Sequence, residues 1–230
     1  EEFLKGEEAS FICLISGNQV IPLASSKDHK KLNNGDEGPN TGGMGAYSPT
    51  KLIDDDISNT VINKIITPTI NELKKHGIEY QGFLYAGLMI DKNKNPYVLE
   101  YNCRLGDPEA QAILMRLDSD IVDIFLGAIN ENLENTNIKW KDESACTVVL
   151  ASSGYPGNYE KNKKIDGLDH NIDGIKIFHS GTKLEDGILV TNGGRVLAVT
   201  ALGVNLQVAQ AKAYDRCNQI SWDGKIKRHD

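Results

Sequence analysis

Two pairs of apolar runs, each folded about a short polar turn, constrain this chain more than any other feature. Residues 10–16 (SFICLIS) and 19–24 (QVIPLA) flank Gly17 and Asn18. Residues 83–91 (FLYAGLMID) and 96–101 (PYVLEY) flank a Lys-Asn-Lys-Asn turn at 92–95. Short runs rich in β-branched and aromatic residues, bounded by turn formers, read as two β-hairpins. Between them Ile57, Val61, Ile62, Ile65, Ile66, Ile70 and Leu73 recur at helical spacing. The acidic run 54–56 suits the N-terminus of that helix and Gly77 its C-cap. Pro68 is expected to kink the helix or split it in two. After the second hairpin, Pro108 opens a short helix and Ser119 caps another that runs to about residue 132.

The polar stretch 132–143 reads as a boundary. Beyond it, short strands near 145–151, 174–179, 187–191 and 194–201 precede a helix at about 204–219. The prediction is an α+β chain. An antiparallel sheet with flanking helices spans residues 1–135, and a small β-rich domain spans 136–230. Residues 25–50 read as one long polar, glycine-rich loop.

Composition narrows the function. Lys and Arg number 25 and Asp and Glu 32, a net charge of −7. An acidic chain without a basic stripe is not built to neutralise a nucleic-acid backbone. Cys13, Cys103, Cys146 and Cys217 are far apart, without the C-x-x-C spacing of a zinc or redox site, which fits a reducing, cytoplasmic setting. No apolar run approaches the roughly 18 residues that a membrane span needs, and there is no signal peptide.

The end of the second hairpin collects unusual chemistry. "EYNCRLGDPEAQ" holds Glu100, Asn102, Arg104, Asp107 and Glu109. Residues i, i+2 and i+4 of a strand share a face, so Glu100, Asn102 and Arg104 point the same way if the strand persists. A carboxylate and an amide oxygen are hard donors for one Mg²⁺, which takes few ligands from protein and the rest from phosphate and water. Arg104 can fork two hydrogen bonds onto a phosphate or a carboxylate. The same residues also read as an exposed, salt-bridged strand end. Asp107 and Glu109 read equally as helix-capping and as catalytic groups.

Two further segments bear on that choice. "GDEGPNTGGMGAYSP" (35–49) places Gly35, Gly38, Gly42, Gly43 and Gly45 within eleven residues. Successive glycine N–H groups can converge on an anion, although the segment also reads as a mobile solvated loop. "KDHKK" (27–31) precedes it. The opening "EEFLKGEE" offers a carboxylate at Glu1, a backbone edge at Leu4 and a second carboxylate at Glu8. These are the parts an adenosine needs, and equally those of a charged edge strand. No Ser–His or Cys–His arrangement suggests a nucleophile.

In this order, "EEFLKGEEASF", "DHKKLNNGDEGPNTGGMGAYSP", "GFLYAGLMI", "VLEYNCRLGDPEAQ", "ASSGYPG", "FHSGT" and "GGRVLAVTALG" resemble the glycinamide ribonucleotide synthetases, the phosphoribosylamine–glycine ligase family within the ATP-grasp superfamily. The resemblance covers nearly the whole chain. It implies the second half of an ATP-grasp domain followed by the family's C-terminal domain. It implies a cytoplasmic carbon–nitrogen ligase of purine biosynthesis that phosphorylates glycine with ATP and passes the glycyl group to 5-phosphoribosylamine. By the same resemblance, Glu1 and the Leu4 backbone are adenine contacts and Glu8 a ribose contact. Glu100 and Asn102 are ligands of Mg²⁺ or Mn²⁺, and Arg104 faces the reacting phosphates. Asp28, His29 and Lys30, with Asn40, Thr41, Gly42, Gly43 and Gly45, form the substrate wall.

There are departures from the family pattern. Leu105 stands for Phe, Lys27 for Gln and Lys31 for Arg. Leu88 sits where many ATP-grasp enzymes carry a further acidic ligand. The implied partner is the N-terminal part of the same protein, which carries the rest of the nucleotide fold. The family strand beyond Asp230 is also expected to be missing. An alternative is a module that binds nucleotide or phosphate without turning it over.

Overall fold

The computed structural model describes residues 2–169 and 171–230. In chain order, β1 (Glu7–Ser16) and β2 (Gln19–Pro22) form the first hairpin. Next come β3 (Lys27–Asp28), β4 (Lys31–Asn33), β5 (Glu37–Asn40) and β6 (Gly45–Ser48). Helices α1 (Asp55–Val61) and α2 (Thr67–Lys75) are joined by a π-helical turn, Ile62–Ile66. The second hairpin is β7 (Gln81–Ile90) and β8 (Pro96–Asn102). Helices α3 (Glu109–Arg116) and α4 (Ile121–Ile129) follow. Then come β9 (Ser144–Ser152), β10 (Ile175–His179), β11 (Thr182–Glu185), β12 (Ile188–Thr191), β13 (Arg195–Gly203), α5 (Leu206–Gln219) and β14 (Lys225–Ile226).

These elements form two compact units that interleave along the chain. The first holds the stretch up to Lys27, then Pro49–Gly106 and Leu117–Lys141; the second holds Asp28–Ser48, Asp107–Arg116 and Asp142–Asp230. The sequence alone suggests a single boundary at 135/136. The contacts divide that stretch at 141/142 and assign residues 28–48 and 107–116 to the second unit.

In the first unit an antiparallel sheet has the order β2-β1-β7-β8. β1 and β7 are central and pair over ten residues, from Glu7 with Ile90 to Ser16 with Gln81. One face is covered by helix. Ile57, Val61, Ile66 and Ile70 pack on Phe11, Cys13, Leu84, Ala86 and Leu88, the positions the helical spacing selects. Asp54 caps α1 by accepting from the Ile57 amide at 2.9 Å. Gly77, at φ +75°, closes α2 with its amide on Lys74 O and that of Ile78 on Leu73 O, a Schellman arrangement.

The helical path is divided just ahead of Pro68, which lies in the first turn of α2. The widened turn just before it carries an i→i−5 bond from Thr67 N to Ile62 O, which accommodates a residue that has no N–H and crowds the carbonyl four back. The cap of α4 differs from expectation. It is Asp120, accepting from Val122 N at 2.8 Å, while Ser119 donates to Asn137 O and accepts from Lys139 N.

The second unit is built on β9. Its sheet has the order β10-β13-β9-β6-β3, and β14 also pairs with β9. Val148, Leu150, Leu197 and Val199 form the core with Ala213, Cys217 and Ile220 from and beyond α5. The segment expected to be a loop is therefore largely strand: β6 pairs with β9 from Gly45 with Val148 to Ser48 with Ala145, and β4 pairs with β5. These strands are too short and too polar to announce themselves; β4 and β5 pair locally, and β6 takes its order from a partner about a hundred residues away.

Arg228 anchors the tip of this hairpin. Its guanidinium, buried in the unit, donates to Asp36 Oδ1 at 2.7 Å and to Lys31 O at 3.2 Å, and pairs with Asp230. The Arg228 hydrogen bond holds the Asp36 carboxyl below its usual value of 3.8. A carboxyl lowered by folding stabilises the folded state above its unfolded value, and that contribution is lost as pH falls through the folded one. Asp36→Asn is therefore expected to lower the melting temperature at pH 7 but not at strongly acid pH. Melting curves of both proteins from pH 7 to 2.5 should converge at the low end; a gap independent of pH would contradict the assignment.

Candidate functional site

The chemistry of the first unit depends on a register change. β8 pairs with β7 at Leu88–Val98 and then at Gly87–Glu100, so Leu99 is an extra residue in β8. Such a bulge reverses which positions face which side of a sheet. Val98 packs against the helix-covered core. With unbroken alternation Glu100 would face that core as well. The bulge instead sets Glu100 opposite Gly87 and Asn102 opposite Tyr85, on the other face. Across β7, Glu8 pairs with Met89 and Ser10 with Gly87. Glu8, Ser10, Tyr85, Glu100 and Asn102 thus share one face. At its far end that face is closed by α4, where Leu14 packs with Ile124, Ala128 and Leu133.

Side-chain contacts bear this out. Asn102 Nδ2 lies 3.4 Å from Glu100 Oε1, and Arg104 Nη2 lies 3.4 Å from Asn102 Oδ1. Arg104 is steadied by a 2.8 Å bond from Nη1 to Leu105 O. Ser10 Oγ and Tyr85 Oη are 3.2 Å apart behind them. A Cβ on Gly87 would come within 3.1 Å of Glu100 Cγ, so the glycine leaves room for the carboxylate.

The three residues singled out at the strand end are therefore brought together. Leu4 precedes β1 and is half-buried, Glu8 lies on the shared face, and Glu1 lies outside the described residues. Leu88 is wholly buried in the helix-covered core and contributes nothing to this face. Among the described residues no three His, Cys, Asp or Glu side chains cluster as a metal cage. The donor set at Glu100 and Asn102 fits a hard cation that draws its remaining oxygens from phosphate and water.

The proposed wall residues lie in the second unit, and there the glycines have a different use from the one the sequence suggests. The amide of Thr41 bonds Lys30 O at 2.7 Å and that of Met44 bonds His29 O at 2.8 Å. The Gly42 amide donates to Tyr155 Oη at 2.9 Å and the Gly43 amide to Thr41 Oγ1 at 3.0 Å. These N–H groups are engaged within the protein and do not converge as an anion cradle. The glycines instead permit close packing. A Cβ would meet the Arg195 guanidinium at 3.0 Å from Gly42, Pro108 Cδ at 2.5 Å from Gly43, and Thr147 O at 2.9 Å from Gly45. Gly43 also adopts φ +109°.

Around this knot Asp28 is buried, Asn40 is exposed in β5, and His29 Nδ1 lies 3.4 Å from Asp36. Asp107 accepts from Gln111 Nε2 at 3.0 Å and pairs with Arg195 at 3.4 Å, while Glu109 is buried in α3. Arg195 and Tyr155 are residues that the sequence reading leaves without a role. Their sequence signal is that they lie in "ASSGYPG" and "GGRVLAVTALG", two of the segments that carry the family resemblance.

Comparisons with known proteins bear on the family and the fold. The family profile "Phosphoribosylglycinamide synthetase, ATP-grasp (A) domain" matches residues 1–110, and its "C domain" counterpart matches residues 145–230. A phosphoribosylamine–glycine ligase of Vibrio parahaemolyticus is 52% identical over all of this chain and 54% of its own length. The Escherichia coli protein of that name is 49% identical over the same shares. The crystal structure of a phosphoribosylamine–glycine ligase from Thermotoga maritima superposes with a TM-score of 0.90 at 37% identity, covering 99% of this chain and 56% of that one. At 14% identity, the biotin carboxylase domain of a Hydrogenobacter thermophilus 2-oxoglutarate carboxylase shares the fold, with a TM-score of 0.66 over 96% of this chain and 47% of that one. The chain spans about half the length of the curated relatives it matches.

The bulge yields a direct test. Deleting Leu99 removes the extra residue, so Glu100 follows Val98 directly and regular alternation keeps it opposite Gly87 on the shared face. The deletion is expected to change stability by about 1 kcal/mol or less. A large fall in the urea midpoint would show that β8 does not keep the Gly87–Glu100 register without the bulge.

Proposed function

Because the chain belongs to the phosphoribosylglycinamide synthetase family, we propose that the full-length protein joins glycine to 5-phosphoribosylamine with ATP, giving glycinamide ribonucleotide, ADP and phosphate. The observation that carries the proposal is the single sheet face bearing Glu8, Glu100 and Asn102, with Arg104 in contact at its edge. On this reading a glycine carboxylate oxygen attacks the γ-phosphorus, the bond to the β-phosphate oxygen breaks, and ADP leaves. The amine of phosphoribosylamine then attacks the acyl carbon, phosphate departs, and the nitrogen loses a proton. Neither step needs a protein nucleophile.

The transferring phosphoryl group must have its charge compensated. Arg104 carries a permanent positive charge beside Asn102 and supplies part of that compensation. Glu100 and Asn102 would hold Mg²⁺ or Mn²⁺, which when bound neutralises phosphate charge. The MgADP named in the Hydrogenobacter complex makes nucleotide on this sheet face a natural reading for the present chain. Glu8 is then placed for the ribose hydroxyls, and Glu1 with the Leu4 backbone for the base. Asp28, His29, Lys30, Asn40, Thr41, Gly42, Gly43 and Gly45 form the wall toward glycine and phosphoribosylamine, acting through shape and side chains. We assign the full-length protein to the cytoplasm, where the proposed step of purine biosynthesis would run.

A second reading applies to the 230 residues in isolation. Since they span about half of their relatives, they are proposed to bind metal-nucleotide weakly without turnover. The deciding experiment measures ADP release by the full-length protein with Mg²⁺-ATP and phosphoribosylamine, with and without glycine. Release is expected to depend on glycine, and Glu100→Gln is expected to reduce it by at least 100-fold with the melting temperature unchanged. Normal turnover of that variant would sink the metal assignment, and glycine-independent release would sink the ligase.

A further inference from the structure

Three separate stretches of the second unit meet at one guanidinium. Arg195, the first residue of β13, donates from Nη1 to Gly42 O at 2.7 Å and to Asp107 O at 2.8 Å. Gly43 O lies at 3.5 Å, and the Asp107 carboxylate lies 3.4 Å from both Nη1 and Nη2. The opposite side of the loop is held by Tyr155, whose hydroxyl accepts from the Gly42 amide. Its ring lies against Gly194, where a Cβ would come within 2.2 Å. Gly43 is pressed onto Pro108 in the same way. Both polar groups of Gly42 are therefore spent on side chains from distant parts of the chain, and neither of them belongs to the loop.

We infer that Arg195 is a positioning residue, whose forked guanidinium fixes the Gly42 and Gly43 turn against Asp107 and so sets the shape of the substrate-facing loop. The inference rests on the proposed wall role of that loop. The chemistry requires arginine. The two N–H groups of Nη1 serve the Gly42 and Asp107 carbonyls while Nη2 of the same planar group faces the Asp107 carboxylate. Lysine offers a single point of charge on a flexible stem. Carbonyl oxygens at 2.7 and 2.8 Å also leave little room for a longer contact to serve as well. The partial exposure of Arg195, with 22% of its side chain accessible, keeps the clamp at the surface, where a loop meets its ligand.

The test uses the full-length protein with Arg195→Lys, which preserves charge, and Arg195→Ala as a second variant. Amide hydrogen exchange at Gly42 and Gly43 is expected to quicken at least tenfold, while exchange in β9 and in the rest of β13 stays as in the parent. In the same variants the KM of glycine or of phosphoribosylamine is expected to rise at least tenfold, and that of ATP to change less than twofold. A purely structural residue would lower the melting temperature without separating the three KM values. Unchanged exchange at Gly42 and Gly43, or faster exchange with every KM unmoved, would overturn the inference. If the parent protein shows no glycine-dependent ADP release, the ligase reading fails by itself, and the exchange comparison still decides whether Arg195 positions the loop.

Discussion

The ten-residue pairing of β1 with β7 is the reference from which the rest of the first unit takes its orientation. Because it runs without a shift, odd and even positions keep their sides from Glu7 to Ser16. One side accepts the helices through Phe11, Cys13, Leu84, Ala86 and Leu88. The other is left for Ser10, Tyr85 and Glu8. β8 must join this sheet while presenting a carboxylate to the second side, yet Val98 is needed on the first. A regular strand cannot do both within three residues, and the extra residue at Leu99 resolves the conflict. The apolar contact at Val98 and the polar chemistry at Glu100 are thus two outcomes of one backbone irregularity.

A comparable economy of backbone operates in the second unit. A glycine-rich segment can use its freedom to aim N–H groups at a ligand or to let other chain segments come close, and the same amide cannot serve both ends. At Gly42 and Gly43 the amides bond Tyr155 and Thr41, and the missing side chains make room for Arg195 and Pro108. Burial of unpaired backbone groups is costly, so once Pro108 and Tyr155 close around the turn, its donors are committed to internal partners. The Thr41 hydroxyl is committed as well, donating to Lys30 O and accepting from the Gly43 amide, so the turn is defined by its contour.

Much of this was legible in the sequence, and the boundary of legibility has a physical cause. Both hairpins, the helix from Asp54 to Gly77 and the grouping of Glu100, Asn102 and Arg104 follow from local period and local turn chemistry. The Leu99 bulge is not local. It is fixed by what β7 offers opposite, and periodicity alone would have directed Glu100 to the side of Val98. β6 escaped for the same reason, since it is ordered by β9, while β4 and β5 pair locally but are too short and polar to show a period. Arg195 is a further case. Its partners at Gly42 and Asp107 are separated from it by 153 and 88 positions, and no spacing rule reaches that far. Asp120 displaced Ser119 as the cap of α4 through a choice between two adjacent good caps, which the Ser119 bonds to Asn137 and Lys139 settle.

Charge raises a last question, since a chain with net charge −7 is assigned anionic substrates. Coulomb interactions between exposed groups fade over about 8 Å at physiological ionic strength, so the total matters less than the sign within one such radius. At the strand end Arg104 stands beside Glu100 and Asn102, and one carboxylate and one guanidinium cancel. On the proposed reading, a strand end where these two charges cancel, with Glu8 on the same face, has little attraction for a free polyphosphate, and a divalent cation would supply the missing positive charge. Metal and nucleotide would then be taken up together, because each removes the electrostatic obstacle to the other. A strand end with a second carboxylate would hold the cation more tightly and repel the phosphate more strongly. Leu88 faces the helix-covered core on the other side of the sheet, so that position adds no second carboxylate to this face.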